Sequence, residues 1–107
     1  MTFTKYQELA RRTQNKDLSM SKRMYHALHG LSAEVGEIHE IFQKSYQGHT
    51  VYTEKIIDEM SDVLWFIAEL CDVFTVSMDE LAQHNIDKLK KRFPDGFDPE
   101  RSLHRED

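Results

Sequence analysis

Four carboxylates stand out by their spacing. Glu34 and Glu37 form one i, i+3 pair, and Glu59 and Asp62 form another. On a helix, residues three apart are neighbours with Cβ atoms about 5–6 Å apart, so each pair turns two acids to one side. Each acid also stands one residue before an apolar position, namely Val35, Ile38, Met60 and Val63. If the helices that carry them pack antiparallel through their apolar stripes, all four acids converge on one flank. Converging carboxylates repel, and each is costly to hold without a counter-charge. A hard dication resolves that cost, because Mg²⁺ takes oxygen ligands at about 2.0–2.1 Å and keeps water or phosphate oxygens in its remaining positions. The same spacing also suits an ordinary solvated face, so the acids alone leave both readings open.

Neighbouring residues bear on the choice. Gly36 lies inside the first pair, where glycine loses about 1 kcal/mol of helix propensity relative to alanine. A close approach by a ligand or another helix would explain it, and so would a plain packing contact. Lys55, four residues before Glu59, is placed to face the acids across a bound anion or to be a surface lysine. Further along, Asn85, Lys88 and Arg92 align at spacings of three and four, with Lys91 beside them. Cations in a last helical turn complement the helix dipole. Opposite a carboxylate-bound metal, the same group would bind phosphate oxygens, Arg with its planar fork and Lys as a compact charge. His26 and His29 stand at i, i+3, a spacing open to metal ligation, to exposure or to hydrogen bonding with neighbours. Trp65 and Phe66 suit a core or interface, with contact to a nucleobase as the alternative. Cys71, inside an apolar run, reads as an inert core thiol.

Four helices must position these groups. Both prolines, Pro94 and Pro99, fall in the last fourteen residues, and no stretch alternates as a half-buried strand would. The first helix is expected over about 4–13, the second over 21–43 and the third over 53–76. The second carries Met24, Leu28, Leu31, Val35, Ile38 and Phe42, spaced as the a/d stripe of a bundle helix. The third repeats the pattern at Ile56, Met60, Val63, Ile67, Leu70 and Phe74, and Leu64, Trp65, Phe66 and Cys71 widen it. A helix apolar on most sides is buried on most sides, which in so short a chain predicts a second subunit. Ser77 and Glu80 form a capping-box signal for the fourth helix, which Pro94 and Gly96 stop. The expected organisation is one all-α domain over 1–107, a four-helix, bundle-like core over about 4–93 and a polar, loosely ordered tail over 94–107.

Composition narrows the classes. The chain has 107 residues, 14 Lys+Arg against 19 Asp+Glu and a net charge of −5, which argues against a nucleic-acid binder needing a basic footprint. Charged residues are 31% and apolar ones 39%, as in a folded rather than a disordered chain. One cysteine cannot make an internal disulfide. The longest apolar run, Val63 to Ala68, is too short to cross a membrane, and Met1 to Lys5 lacks a signal peptide's apolar core. The expected location is the cytoplasm. No P-loop, dinucleotide-binding turn or C-x-x-C pair occurs.

Taken in order, Glu34-x-x-Glu37, Glu59-x-x-Asp62 and Asn85-x-x-Lys88-Leu89-x-x-Arg92-Phe93-Pro94 resemble the MazG-like all-α nucleoside triphosphate pyrophosphohydrolases. The resemblance runs from about Tyr6 to Arg105 and includes the Gln47-Gly48-His49 turn and the Pro94-Asp95-Gly96-Phe97 stop. It implies a helical domain assembled as a dimer or tetramer that hydrolyses a nucleoside triphosphate to the monophosphate and pyrophosphate. It implies Mg²⁺ as cofactor, with Mn²⁺ as a substitute, held by Glu34, Glu37, Glu59 and Asp62. Lys55, Lys88 and Arg92 match positions that contact phosphates, and Asn85 one near the sugar or phosphate. Base-recognition positions vary within the family, and no motif here fixes them.

The chemistry suits the residues, since metal ions neutralise charge as an anhydride breaks and acidify a bound water whose proton a free carboxylate can take. Glu37 is the first candidate for that base, with Glu40 as an outer helper, because Glu34, Glu37 and Glu40 form a continuous acid row. A di-iron bundle is disfavoured, because it needs Glu-x-x-His on two helices and no histidine here has a glutamate three residues before it. The other alternative is a non-enzymatic acidic interaction module, which would release no pyrophosphate.

Overall fold

The computed structural model describes residues 1–105. Five helices follow one another: α1 (Phe3–Arg11), α2 (Met20–Ser45), α3 (Thr53–Val73), α4 (Met78–Arg92) and α5 (Pro99–Leu103). Among the described residues there is no strand, only an isolated bridge between Pro94 and Gly96, and no helix long and apolar enough to cross a membrane.

Small polar side chains start the helices. Thr2 accepts from the Lys5 amide, Ser19 from that of Lys22 and Ser77 from that of Glu80, each satisfying one of the amides that a helix start leaves unpaired. Gly48, at φ +93°, supplies the left-handed turn after α2. The third helix stops at Val73, three residues short of the expected end. Thr75 takes a left-handed conformation at φ 56° and turns the chain into α4. The region expected to be a loose tail contains α5, where the Asp98 side chain accepts from the Glu100 amide and Pro99 opens the helix. The Arg101 guanidinium donates to the Arg92 carbonyl at 2.9 Å and ties this turn to the end of α4. Residues 106–107 of the expected tail lie outside the described residues.

Packing centres on the antiparallel α2–α3 pair, with α1 laid against α3 and the start of α4. Ala10, Ala68, Cys71 and Met78 form the buried core where α1, α3 and α4 meet. Burial, and secondarily the nearby Asp72, pushes the Cys71 thiol up, as an inert core thiol requires.

A polar network locks this corner. Gln7, 4% exposed, donates to Asp72 Oδ1 at 2.9 Å and to the Val76 carbonyl at 3.1 Å, and accepts from the Met78 amide at 2.8 Å. Gln14, 6% exposed, donates to Asp72 Oδ2 at 2.7 Å, and Arg11 donates to Asp72 Oδ1 at 2.9 Å. Burial raises the Asp72 pKa, but the hydrogen bonds from Arg11, Gln14 and Gln7 outweigh it and hold the carboxyl below the ordinary aspartate range. Replacing Asp72 with alanine takes the acceptor from the Gln14 amide and one of two from the Gln7 amide, and is expected to cost about 1–3 kcal/mol, read from urea unfolding.

The helix-facing side of α2 differs from the expected stripe. Ala27 is fully buried, whereas Leu28, Val35 and Phe42 are 42%, 40% and 47% exposed. The apolar arc of α2 is wide. Its register with α3 puts the small residues Ala27 and Gly30 at the close approach and leaves the larger ones on the outer flank. A Cβ on Gly30 would lie 2.2 Å from Phe66 Cε1, so the Phe66 ring rests on bare backbone there. Among the described residues, by contrast, nothing lies within 4 Å of where a Cβ on Gly36 would sit, so no neighbouring helix approaches it.

Candidate metal centre

The α2–α3 register fixes the site. His26 meets Glu69, Gly30 meets Phe66 and Glu34 meets Glu59, so facing positions sum to about 95 along the pair. Glu34 and Glu59 therefore lie within the helix–helix seam, with Glu37 and Asp62 at its exposed edge. Glu34, Glu59 and Asp62 each offer a carboxylate oxygen, and these atoms lie within 4.8 Å of one another. Glu34 and Glu59 are half-buried and Asp62 is exposed.

Among the described residues, the groups that shift this cluster are its own carboxylates. Glu59 holds its proton above the ordinary glutamate range, chiefly through its hydrogen bond with Glu34, with the bond from Glu37 acting in the opposite sense. Glu37 is also raised, first by its hydrogen bond with Glu59 and then by the charge of that group, with smaller effects from Glu40 and Asp62. The charged groups acting on both residues are all carboxylates. Glu34 Oε2 is buried without a hydrogen-bond partner. Oxygen donors crowded into one seam, one of them orphaned, fit a hard divalent cation.

Other candidate residues fall in different places. Glu37 joins the cluster through Glu59. Glu40 turns to Lys44 at 2.8 Å, and that hydrogen bond holds its carboxyl below the ordinary range. Lys55 shares the α3 face of Glu59 and Asp62 but makes no ion pair among the described residues. Asn85, Lys88 and Arg92 lie on α4, which is fixed at its first turn by α1, where Thr4 donates to Asp79, and which diverges from α3 with little contact. From the α3–α4 corner, Asp62 is about 16 Å back along α3 and Arg92 about 21 Å out along α4 at 1.5 Å per residue. The acids and the α4 cations therefore lie well out along two helices that make little contact with one another.

A cavity of about 560 Å³, lined in part by Gln7, Arg11, Gln14, Arg23 and Asp72, opens at the other end of the α2–α3 pair. Arg23 donates there to Gln14, and its Nε is buried without a partner.

The pKa directions predict a pH signature for metal-free protein. Glu37 and Glu59 are raised on folding, so the stability they contribute is complete below the unfolded carboxylate pKa of about 4.3 and is lost as pH rises through their raised values. Asp72 and Glu40 are lowered and act oppositely, losing their contribution as pH falls through their lowered values. In chelator, Tm is expected to decline from about pH 4.5 towards neutrality more steeply in the wild type than in Glu59→Gln. Thermal melts across pH check this, and parallel profiles would contradict it.

A seam of carboxylates between antiparallel helices defines an all-α carboxylate-site protein. The MazG nucleotide pyrophosphohydrolase domain matches residues 23–97, most of the chain, and the chain belongs to that family. No curated protein and no solved structure matches it.

The sequence left the His26–Glu69 pair and the Gly30–Phe66 contact unread. Its one signal was an acid, Glu69, set between the apolar run Val63 to Ala68 and the apolar Leu70 and Cys71.

Proposed function

We propose that the protein is a Mg²⁺-dependent pyrophosphohydrolase that splits a ribo- or deoxyribonucleoside triphosphate into the monophosphate and pyrophosphate. The observation that carries this reading is the converging trio Glu34, Glu59 and Asp62, with its orphaned Glu34 oxygen, in a chain of this family. These three residues would hold the ion, with Mn²⁺ able to replace Mg²⁺. The bound ion supplies charge neutralisation at phosphate oxygens and acidifies water. Glu37, next to Glu59 at the solvent edge, accepts the proton of the attacking water, whose oxygen bonds to the α-phosphorus as pyrophosphate leaves. Glu40, engaged by Lys44, stays outside this machinery.

The cations come from assembly. The radius of gyration is 17.1 Å, against about 13 Å for a compact domain of this length. The accessible surface is 8167 Å², against about 6,200 Å² for a monomer of this mass. Leu28, Val35 and Phe42 offer a continuous apolar flank for a second copy. In the resulting dimer or tetramer, Asn85, Lys88 and Arg92 of one chain engage the triphosphate held at the acids of another, and Lys55 lies beside it. A sedimentation profile of a strict monomer would remove this part.

The test is incubation of the protein and Mg²⁺ with a panel of ribo-, deoxyribo- and damaged nucleoside triphosphates. Equimolar monophosphate and pyrophosphate are expected. Release of inorganic phosphate alone, or no turnover, would overturn the reading.

A further inference from the structure

Glu69 is 1% exposed, and a carboxylate so deeply buried is costly unless its oxygens are satisfied. The ring partner that satisfies it is His26, whose Nδ1–H donates to Glu69 Oε1 at 2.7 Å while the imidazole itself stays about half exposed. Packing alone would be served as well by an apolar pair. What the carboxylate adds is orientation, because it fixes which imidazole nitrogen faces inward and leaves Nε2 directed outward.

The location gives that orientation a use. His26 is eight residues from Glu34 on α2, about 12 Å along the axis. Between them the Phe66 ring lies against the Gly30 backbone. The His26 ring centroid is 5.7 Å from that of Phe66, and Trp65 meets Phe66 edge-on at 5.0 Å. Moving along the seam from the acids, one meets a phosphate-holding end, then an aromatic surface, then one oriented polar nitrogen. That order matches a nucleotide's phosphate, flat base and hydrogen-bonding base edge. His26 and Glu37 also lie on the flank of α2 turned away from Leu28, Val35 and Phe42, so a second copy on the apolar flank leaves His26 open.

Resting on the function proposed above, we propose that His26 reads the nucleobase through Nε2, and that Glu69 is the positioning residue that holds it there. Kinetics of the full chain with Mg²⁺ and dATP, dGTP, dCTP and dTTP test this, comparing wild type with His26→Ala, His26→Gln and Glu69→Gln. In the wild type, kcat/KM should differ between the best and worst base by about tenfold or more, the worth of one well-placed hydrogen bond. His26→Ala should compress that spread to about threefold through KM of the favoured base, leaving the poorest base and the Mg²⁺-induced Tm shift unchanged. Glu69→Gln, which keeps a buried acceptor but loses the charge, should narrow the spread with less effect. If His26→Ala does not fold, His26→Gln, of similar size, must still alter the base order. An unchanged order in the folded variants, or a wild type indifferent to base, overturns the inference while pyrophosphate release keeps the parent reading intact. Absence of pyrophosphate from every wild-type reaction overturns both.

Discussion

Glu59→Gln is expected to abolish stabilisation by divalent cations and to lower pyrophosphate release by about 10²–10³-fold, as befits loss of several kcal/mol of charge stabilisation. The same substitution should raise Tm in chelator near neutral pH. Glu59 sits between Glu34 and Glu37, and every charged group that shifts it is another carboxylate. Removing its charge relieves repulsion in the empty site and destroys the ligand set in the loaded one. Opposite signs in chelator and in Mg²⁺ distinguish a metal centre from a solvated acidic face. On such a face the two conditions would shift Tm alike. Glu34→Gln is expected to behave similarly, because its buried Oε2 has no other partner. Differential scanning calorimetry with pyrophosphate quantification checks both variants.

Gly30→Ala carries the second large effect. A Cβ would lie 2.2, 2.3 and 2.6 Å from three carbons of the Phe66 ring, so either the ring or the helix must move. Overpacking of this kind costs about 1–3 kcal/mol, equivalent to a Tm lower by about 5–20 °C in a domain of this size. Activity should fall with it, since the contact lies one turn from Glu34 and sets the spacing on which the acid cluster depends. Gly36→Ala serves as the control. Nothing surrounds that position, and alanine there should add up to about 1 kcal/mol of helix propensity. Pairing Gly30→Ala with Phe66→Leu should recover part of the loss. Equal Tm values for Gly30→Ala and the wild type would show that the close approach does not set stability.

These two glycines illustrate what a sequence conceals. Both interrupt the same helix, and only the facing helix separates a contact from open space. Gly36 drew attention because it lies between two acids, yet the approach occurs at Gly30. The acid pairs themselves were legible, because i, i+3 spacing survives in any helix and antiparallel pairing of neighbouring helices follows from a short connection. The start of α4 was legible in Ser77, although only the Ser77 half of the box forms. Which side of α2 meets α3 was not. Met24, Leu28, Leu31, Val35, Ile38 and Phe42 form so regular a stripe that it reads as the seam, whereas a surface for another chain has the same periodicity. The divergence of α4 was equally hidden, since no local rule fixes the angle of a helix after a left-handed Thr75. Helix α5 did carry a signal, an Asp98 cap followed by proline at the first helical position, which a polar composition outweighed. The pairing of His26 with Glu69, across 43 positions, emerges only once the register is known.

The most direct test of the central claim is anomalous diffraction from crystals of the wild-type protein grown with Mn²⁺. A strong anomalous peak coordinated by Glu34, Glu59 and Asp62 is expected, and it should be absent from crystals of Glu59→Gln. Well-ordered crystals with no peak between those three carboxylates, at saturating Mn²⁺, would contradict the account.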